Sequence, residues 1–222
     1  MSKKRITLSY IISGILFLLF ALLIVLLKTV DIKAIGPESS AVGLATVNKA
    51  VFDFFSVNLL WYTITDYLGF VAFAAALFFA IIGLVQIIKR KSLKKVDPQL
   101  LALGAYYIIV ITFYLFFEKV VINYRPIILN SNLEPSFPSS HTMLVLTIMS
   151  TAMLLFPLYF KKKALVIALE IISLVVIAVT VIGRLISGVH WFTDILGGIL
   201  LGSALFMLYY AVINTIYKYS QI

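Results

Sequence analysis

The chain has 222 residues, of which 63% are apolar and only 12% are charged, and its formal net charge is +9. A soluble domain is nearer half apolar and a quarter charged, so this composition excludes a water-soluble enzyme and a disordered chain. Cysteine is absent and histidine occurs twice, which excludes disulfides, thiolate nucleophiles and cysteine metal sites. In so apolar a chain the position of the basic residues matters more than their total, and we expect no nucleic-acid partner.

Six apolar stretches are long enough to cross a bilayer, since a transmembrane helix needs about 20 such residues. Backbone amides in hydrocarbon must find partners within the chain, so each stretch is predicted to be a helix. The predicted fold is all-α, a single domain over residues 1–222 in which six transmembrane helices form one integral membrane bundle. The spans are 6–27, 67–88, 100–117, 142–160, 164–183 and 195–217.

The basic residues predict the orientation of this bundle. With the N-terminus in the cytoplasm, twelve of them lie on the inner side: Lys3, Lys4, Arg5, Lys89, Arg90, Lys91, Lys94, Lys95, Lys161, Lys162, Lys163 and Lys218. The positive-inside rule then places both termini in the cytoplasm. The loops 118–141 and 183–194, which hold both histidines, would face the outside of a multi-pass protein of the cell membrane.

Segment 29–66 would also lie outside. Its part 51–61 is either an interfacial helix on the outer leaflet or an early start of the second span. Trp61, Tyr62, Trp191 and Phe192 fit an outer aromatic belt. The acids Asp31, Glu38, Asp53 and Asp66 are scattered, form no recognisable metal-ligand set and are expected in a solvated loop. Gly197, Gly198 and Gly202 in the last span predict close helix packing.

The two outer loops concentrate the polar groups that could do chemistry. Arg125 and Arg184 each offer a planar, charged fork that suits a phosphate. Ser139 and Ser140 precede a predicted helix, whose free N–H groups attract anions.

The histidines differ in their surroundings. His190 and Asp194 are spaced i, i+4 and share a helical face if the sixth helix begins there. A carboxylate on one ring nitrogen would leave the other nucleophilic. His141 comes from another helix end and could serve as a proton donor. Together these groups predict a phosphoryl-transfer site.

These segments resemble the three motifs of the type 2 phosphatidic acid phosphatase superfamily of membrane lipid phosphatases, which are related to soluble acid phosphatases and vanadium haloperoxidases. The family pattern is Lys-x6-Arg-Pro, Pro-Ser-Gly-His and Ser-Arg-x5-His-x3-Asp. The matching segments are Arg125-Pro126, Pro138-Ser139-Ser140-His141 and Arg184-x5-His190-x3-Asp194. The motif order and the six spans agree as well.

The resemblance implies a role for each matching residue. His190 would attack phosphorus to form a phosphohistidine, Asp194 would orient it, and His141 would protonate the leaving group. Arg125, Arg184 and Ser139 would bind phosphoryl oxygens, with Ser140 and Lys119 as further candidates for that set. Water would complete the reaction without a metal or another cofactor.

Three positions depart from the family pattern. Ser140 replaces the glycine before His141, and Gly183 replaces the serine before Arg184, which removes one hydroxyl donor. The lysine position of the first motif holds Glu118, while Lys119 lies one residue later. One residue turns a helical side chain by about 100°. A lost charge-assisted contact typically costs about 1.5–3 kcal/mol.

The leading hypothesis is a lipid phosphatase at the outer membrane face. The family suggests polyprenyl diphosphate, phosphatidylglycerol phosphate or phosphatidic acid as substrate. One alternative is a lipid phosphotransferase, or a phosphatase weakened by Glu118. Another is a non-enzymatic transporter that binds anions in the basic outer pocket. The sequence does not specify the oligomeric state.

Overall fold

The computed structural model describes residues 2–219, with side chains to residue 217. Within these residues seven α-helices follow one another: α1 (Lys3–Thr29), α2 (Ala45–Phe55), α3 (Leu59–Arg90), α4 (Pro98–Lys119), α5 (Ser140–Tyr159), α6 (Lys163–Ile186) and α7 (Phe192–Tyr219). Between residues 2 and 219 there is no β-strand, only isolated bridges at Lys33–Val42 and Tyr124–Pro135. The all-α prediction is therefore confirmed.

Six of these helices, all except α2, are long and apolar enough to cross a membrane. Each predicted span falls on one of them, which confirms the six-span prediction. The helices run alternately up and down. We call the end where α1, α4 and α6 finish the upper end, and the other the lower end. The side chain of Lys218, one of the predicted inner cations, lies outside the described part of the chain.

Each of the two expectations for segment 51–61 holds for part of it. Residues 51–55 belong to the separate helix α2, whereas residues 59–61 already belong to α3. Ser56, with φ at 57°, separates the two helices. Phe52 of α2 packs on Trp191, with ring centroids 5.7 Å apart. The amide of the fully buried Asn48 donates to Thr193 Oγ1 at 3.0 Å. Thus α2 is attached to the start of α7.

Helix α5 lies at the centre of the bundle, where it packs against α3, α6 and α7. The predicted close packing at the glycines of α7 is confirmed. A Cβ atom on Gly198 would come within 2.9 Å of the Ser139 carbonyl oxygen, and one on Gly202 within 3.4 Å of the Met143 carbonyl oxygen. These glycines allow the start of α7 to lie directly against the start of α5, and so set the spacing of the upper end.

Helix α1 covers the outer side of α7, where Ser13 Oγ donates to the Ala204 carbonyl oxygen at 2.8 Å. At the upper end, Lys28 Nζ donates to the Ile122 carbonyl oxygen at 2.9 Å. At the lower end, Asp97 accepts hydrogen bonds from Gln86, Arg90 and Tyr159. Polar ties at both ends therefore hold the ends of the apolar helices together.

Candidate active site

The two upper loops predicted to hold the chemistry meet each other. Trp191 Nε1 donates to the Tyr124 carbonyl oxygen at 2.8 Å, and Trp191 is only 2% exposed. Its expected place in a lipid-facing aromatic belt is therefore wrong, because its indole lies between protein loops. The loop 120–139 also folds back on itself, since Arg125 N donates to the Glu134 carbonyl oxygen at 3.0 Å. This pairing holds Arg125 next to His190.

His190 lies between a guanidinium group and a carboxylate. Its Nε2 is 3.3 Å from Arg125 Nη1, and its Nδ1 is 3.6 Å from Asp194 Oδ2. That oxygen also accepts a hydrogen bond from Trp191 N at 2.8 Å. His190 and Asp194 are both buried. The Asp194 carboxylate therefore faces Nδ1, and Nε2 is the ring nitrogen on the side of Arg125.

The charge state of His190 follows from these surroundings. Burial, and then the positive charges of Arg125 and Arg184, hold the pKa of His190 well below its ordinary value of 6.5. A group whose pKa lies below the ambient pH is deprotonated, so at neutral pH the imidazole is uncharged. A neutral imidazole keeps the lone pair that a nucleophile needs.

Arg184 is completely buried and is ion-paired to Asp66 through Nη2. Its guanidinium carbon lies 4.9 Å from the centroid of the Tyr62 ring. The other two nitrogens, Nε and Nη1, have no hydrogen-bond partner among the described residues. A buried charged donor without a partner costs free energy, so these nitrogens favour binding of an anion.

Asp66 is the residue that sequence reasoning missed. It does not lie in a solvated loop, as expected, but on α3, where its Oδ1 contacts Arg184 and lies 3.1 Å from His141 Nε2. The predicted span began at residue 67 because Asp66 is charged, whereas the helix begins at Leu59. An acid beside a membrane span is a functional signal in its own right, and this signal could have identified it.

The two serines at the start of α5 differ in position. Ser139 is fully buried, and its Oγ accepts a hydrogen bond from Thr142 Oγ1 at 3.1 Å. Its backbone N donates to the Asp194 carbonyl oxygen at 2.9 Å. Ser139 thus caps its own helix, while Ser140 lines a narrow cavity together with Arg125 and His190. Ser140, not Ser139, is therefore the serine that lines this cavity.

Of the neighbours Glu118 and Lys119, one lines the same cavity and the other does not. Glu118, in the last turn of α4, lines it together with Arg125 and His190, and Lys119 is not among its lining residues. The Lys119 side chain is exposed and makes no ion pair or hydrogen bond with a described residue. The carboxylate, not the ammonium group, therefore occupies the position next to the cavity.

The residues of α3 that lie next to Gly183 leave no room for a side chain at this position. A Cβ atom there would come within 2.5 Å of Thr65 Cγ2 and 3.0 Å of Trp61 Cε3. A serine in this position would push α3 away from the last turn of α6. The glycine thus allows close packing between α3 and α6, directly beside Arg184.

In its described part, the structure brings Arg125, Arg184, His141, His190 and Asp194 to one end of a six-span bundle, and Asp66 joins them. No three His, Asp or Glu side chains among these described residues are grouped so that they could hold a metal ion. A cluster of guanidinium groups around two imidazoles is suited to phosphoryl transfer, so the fold and these residues fit the class of membrane proteins that bind or transfer phosphate groups.

The chain belongs to the PAP2 superfamily, whose model matches residues 99–218. It is also similar to a solved structure described as the first transmembrane PAP2 type phosphatidylglycerolphosphate phosphatase from Bacillus subtilis. The TM-score is 0.60 at 22% identity, over 92% of this chain and 96% of that chain. No curated protein matches the chain. Membership of the superfamily supports a lipid phosphatase in general terms.

Proposed function

We propose that the chain hydrolyses a phosphate monoester or diphosphate of a lipid through a phosphohistidine at His190. The observation that carries this proposal is the pair of nitrogens 3.3 Å apart, His190 Nε2 and Arg125 Nη1. A phosphate bound by that guanidinium would lie directly in front of a neutral imidazole. The unpartnered nitrogens of Arg184 and the free backbone N–H groups at the start of α5 would bind its other oxygens.

Each step balances with the side chains present. His190 Nε2 forms a bond to phosphorus, the phosphorus–oxygen bond to the lipid breaks, and the leaving oxygen takes a proton from His141. Asp194 stabilises the positive charge on the His190 ring. Water then attacks phosphorus, gives its proton back to His141, and the electron pair of the phosphorus–nitrogen bond returns to His190. No step in this sequence uses a metal ion.

A lipid substrate is favoured by an apolar groove of about 570 Å³ between α3 and α5. Asp66 and His141 lie at its polar end, and its walls continue to Phe73 on α3 and Ile148 on α5. His141 and Ile148 are separated by about 10 Å along α5, at about 1.5 Å per residue. A lipid chain in this groove would present its phosphate ester to His141.

The substrates that fit this chemistry are those expected from the family: polyprenyl diphosphate, phosphatidylglycerol phosphate and phosphatidic acid. The inner excess of basic residues supports an active site on the extracytoplasmic face. Glu118 at the cavity favours a second candidate with the same fold, a phosphatase of reduced rate or a phosphotransferase, because a carboxylate beside the phosphate repels it.

A panel of these lipid phosphates, given to the detergent-solubilised protein with a metal chelator, tests the proposal. We expect phosphate release by the wild type and none by His190→Ala. Rapid acid-free quenching with labelled substrate should trap a phosphoenzyme in the wild type alone. Release of phosphate by His190→Ala contradicts the mechanism. Flux across vesicles without hydrolysis would indicate a transporter, and label transferred to an alcohol would indicate a phosphotransferase.

A further inference from the structure

Each of the two histidines faces a carboxylate. Asp194 faces Nδ1 of His190 at 3.6 Å, and Asp66 faces Nε2 of His141 at 3.1 Å. The first pair belongs to a family motif. The second joins α5 to α3, and α3 lies outside the segment 99–218 that the family model matches.

We propose that Asp66 is the positioning residue of His141: it holds the ring through Nε2 and stabilises its protonated form, so that Nδ1 delivers the proton to the leaving lipid oxygen. This inference rests on the proposed function. A carboxylate that accepts from one ring nitrogen fixes the orientation of the ring and the role of the other nitrogen. Because Asp66 pairs with Nε2 of His141, Nδ1 is the ring nitrogen left for the substrate.

A protonated His141 needs a carboxylate beside it, because burial and two guanidinium groups all oppose its positive charge. The charged groups that face its ring are Arg184, Asp66 and Arg125, and His190 lies in the same cluster. The two guanidinium groups oppose a positive imidazole, as like charges disfavour each other. In the described part of the chain, Asp66 is the acid within ion-pair distance of His141, and it therefore provides the compensating charge.

Asp66 also orients Arg184, because the same Oδ1 atom that faces His141 binds Arg184 Nη2. This contact leaves Nε and Nη1 of Arg184 for the phosphate. One carboxylate oxygen thus sets the position of a proton donor and of a phosphate ligand. Gly69, one turn further along α3, provides space for the ring: a Cβ atom there would meet His141 Cδ2 at 3.3 Å.

In this arrangement His141 Nδ1 gives up a proton in the first step and regains one in the second. In the first step the phosphorus–oxygen bond breaks as His190 Nε2 bonds to phosphorus, and the ester oxygen takes the proton of His141 Nδ1. His141 keeps its second proton on Nε2, against Asp66. In the second step the attacking water returns a proton to Nδ1 as the phosphorus–nitrogen bond breaks.

Asp66→Asn separates this role from a structural one, since it preserves shape and removes charge. The test compares a lipid phosphate with its phosphorothiolate, in which sulfur replaces the bridging oxygen. A thiolate leaves without a proton because its pKa is about 8.5, whereas an alkoxide needs one. We expect phosphoenzyme formation from the oxygen ester to slow by about 100-fold, within the range for general acid catalysis. The sulfur ester should slow by less than about 3-fold, because the asparagine oxygen still accepts a hydrogen bond from Arg184 Nη2 and keeps that guanidinium oriented.

Two further variants complete the experiment. Asp66→Glu keeps the charge on a longer side chain and should retain more oxygen-ester activity than Asp66→Asn. Asp53→Asn removes an exposed acid that pairs with Lys49 on α2 and should leave both rates unchanged. Equal slowing of both esters by Asp66→Asn, or a change confined to KM, overturns the positioning role. A wild type inactive on both esters overturns the proposed function instead.

Discussion

Glu118 and Lys119 are neighbours in the chain, but they occupy different environments. Both lie at the end of α4, and the rotation of about 100° between them turns one towards the cavity and the other away from it. Glu118 therefore presents a negative charge near Arg125, in the position where the family has a lysine. A bound phosphate would meet repulsion there.

We expect Glu118→Lys to raise turnover, or at least not to abolish it. The substitution replaces repulsion by a charge-assisted contact, which is typically worth about 1.5–3 kcal/mol. Because about 1.4 kcal/mol corresponds to a factor of ten, a gain of about 10-fold or more in kcat/KM is the expected size. Steady-state hydrolysis of a lipid phosphate measures it.

The matched control is Lys119→Ala, which removes the exposed ammonium group one residue away and should change kcat/KM by less than about 2-fold. Complete loss of activity in Glu118→Lys would show that Glu118 has a role of its own. A large loss in Lys119→Ala would show that the lysine reaches the phosphate despite its position.

The sequence was sufficient to identify most residues that converge at the upper end, because their spacing is a local property. It could not identify the partners of Asp66, although an acid beside a membrane span marks the residue itself as a functional candidate. The contact of Asp66 with Arg184 joins residues 118 positions apart, and nothing in the local pattern of α3 specifies it. The burial of Ser139 was also not predictable, because it depends on how α7 packs against α5.

At the scale of elements, the packing of α3 against α6 determines which side chains fit beside Arg184. The six spans were predictable from hydropathy alone, yet the start of α3 was placed eight residues late, at 67 and not at Leu59. Polar residues in the first two turns hid the beginning of the helix. Those two turns contain Trp61, Tyr62, Thr65 and Asp66, which form the α3 side of the site.

Gly183→Ser should therefore destabilise the protein, although it restores the family residue. Its Cβ would overlap Thr65 Cγ2 at 2.5 Å, and overpacking typically costs about 1–3 kcal/mol. A lower thermal unfolding midpoint in detergent, together with reduced activity, is the expected result.

Gly83→Ser provides the comparison, since a Cβ at Gly83 has nothing within 4 Å. Adding Thr65→Ser to Gly183→Ser removes the overlapping methyl group and should recover part of the midpoint. Equal midpoints for Gly183→Ser and Gly83→Ser would be evidence against the packing explanation.

At the scale of the whole molecule, the distribution of positive charge predicts the orientation in the membrane. The upper end carries the loop 120–139 and the site, and the lower end carries the lysine clusters. We expect the upper end to lie outside the cell and both termini in the cytoplasm.

The absence of cysteine from the chain permits a direct measurement. Ser131→Cys lies in the upper loop and Lys162→Cys in a lower one, and both positions are exposed. A membrane-impermeant maleimide should label intact cells that carry Ser131→Cys, but should label Lys162→Cys only after permeabilisation. The reverse pattern would place the site in the cytoplasm.

The length of α3 has a consequence for how the surrounding lipid acts on this protein. Its 32 residues span about 48 Å at about 1.5 Å per residue, against a hydrocarbon layer of about 30 Å. The helix must tilt or project, and Asp66 lies about 10 Å from its first residue. Bilayer thickness would therefore change how far the Asp66–Arg184 pair is immersed in the membrane. The thickness of the host membrane would then affect the rate of the proposed reaction.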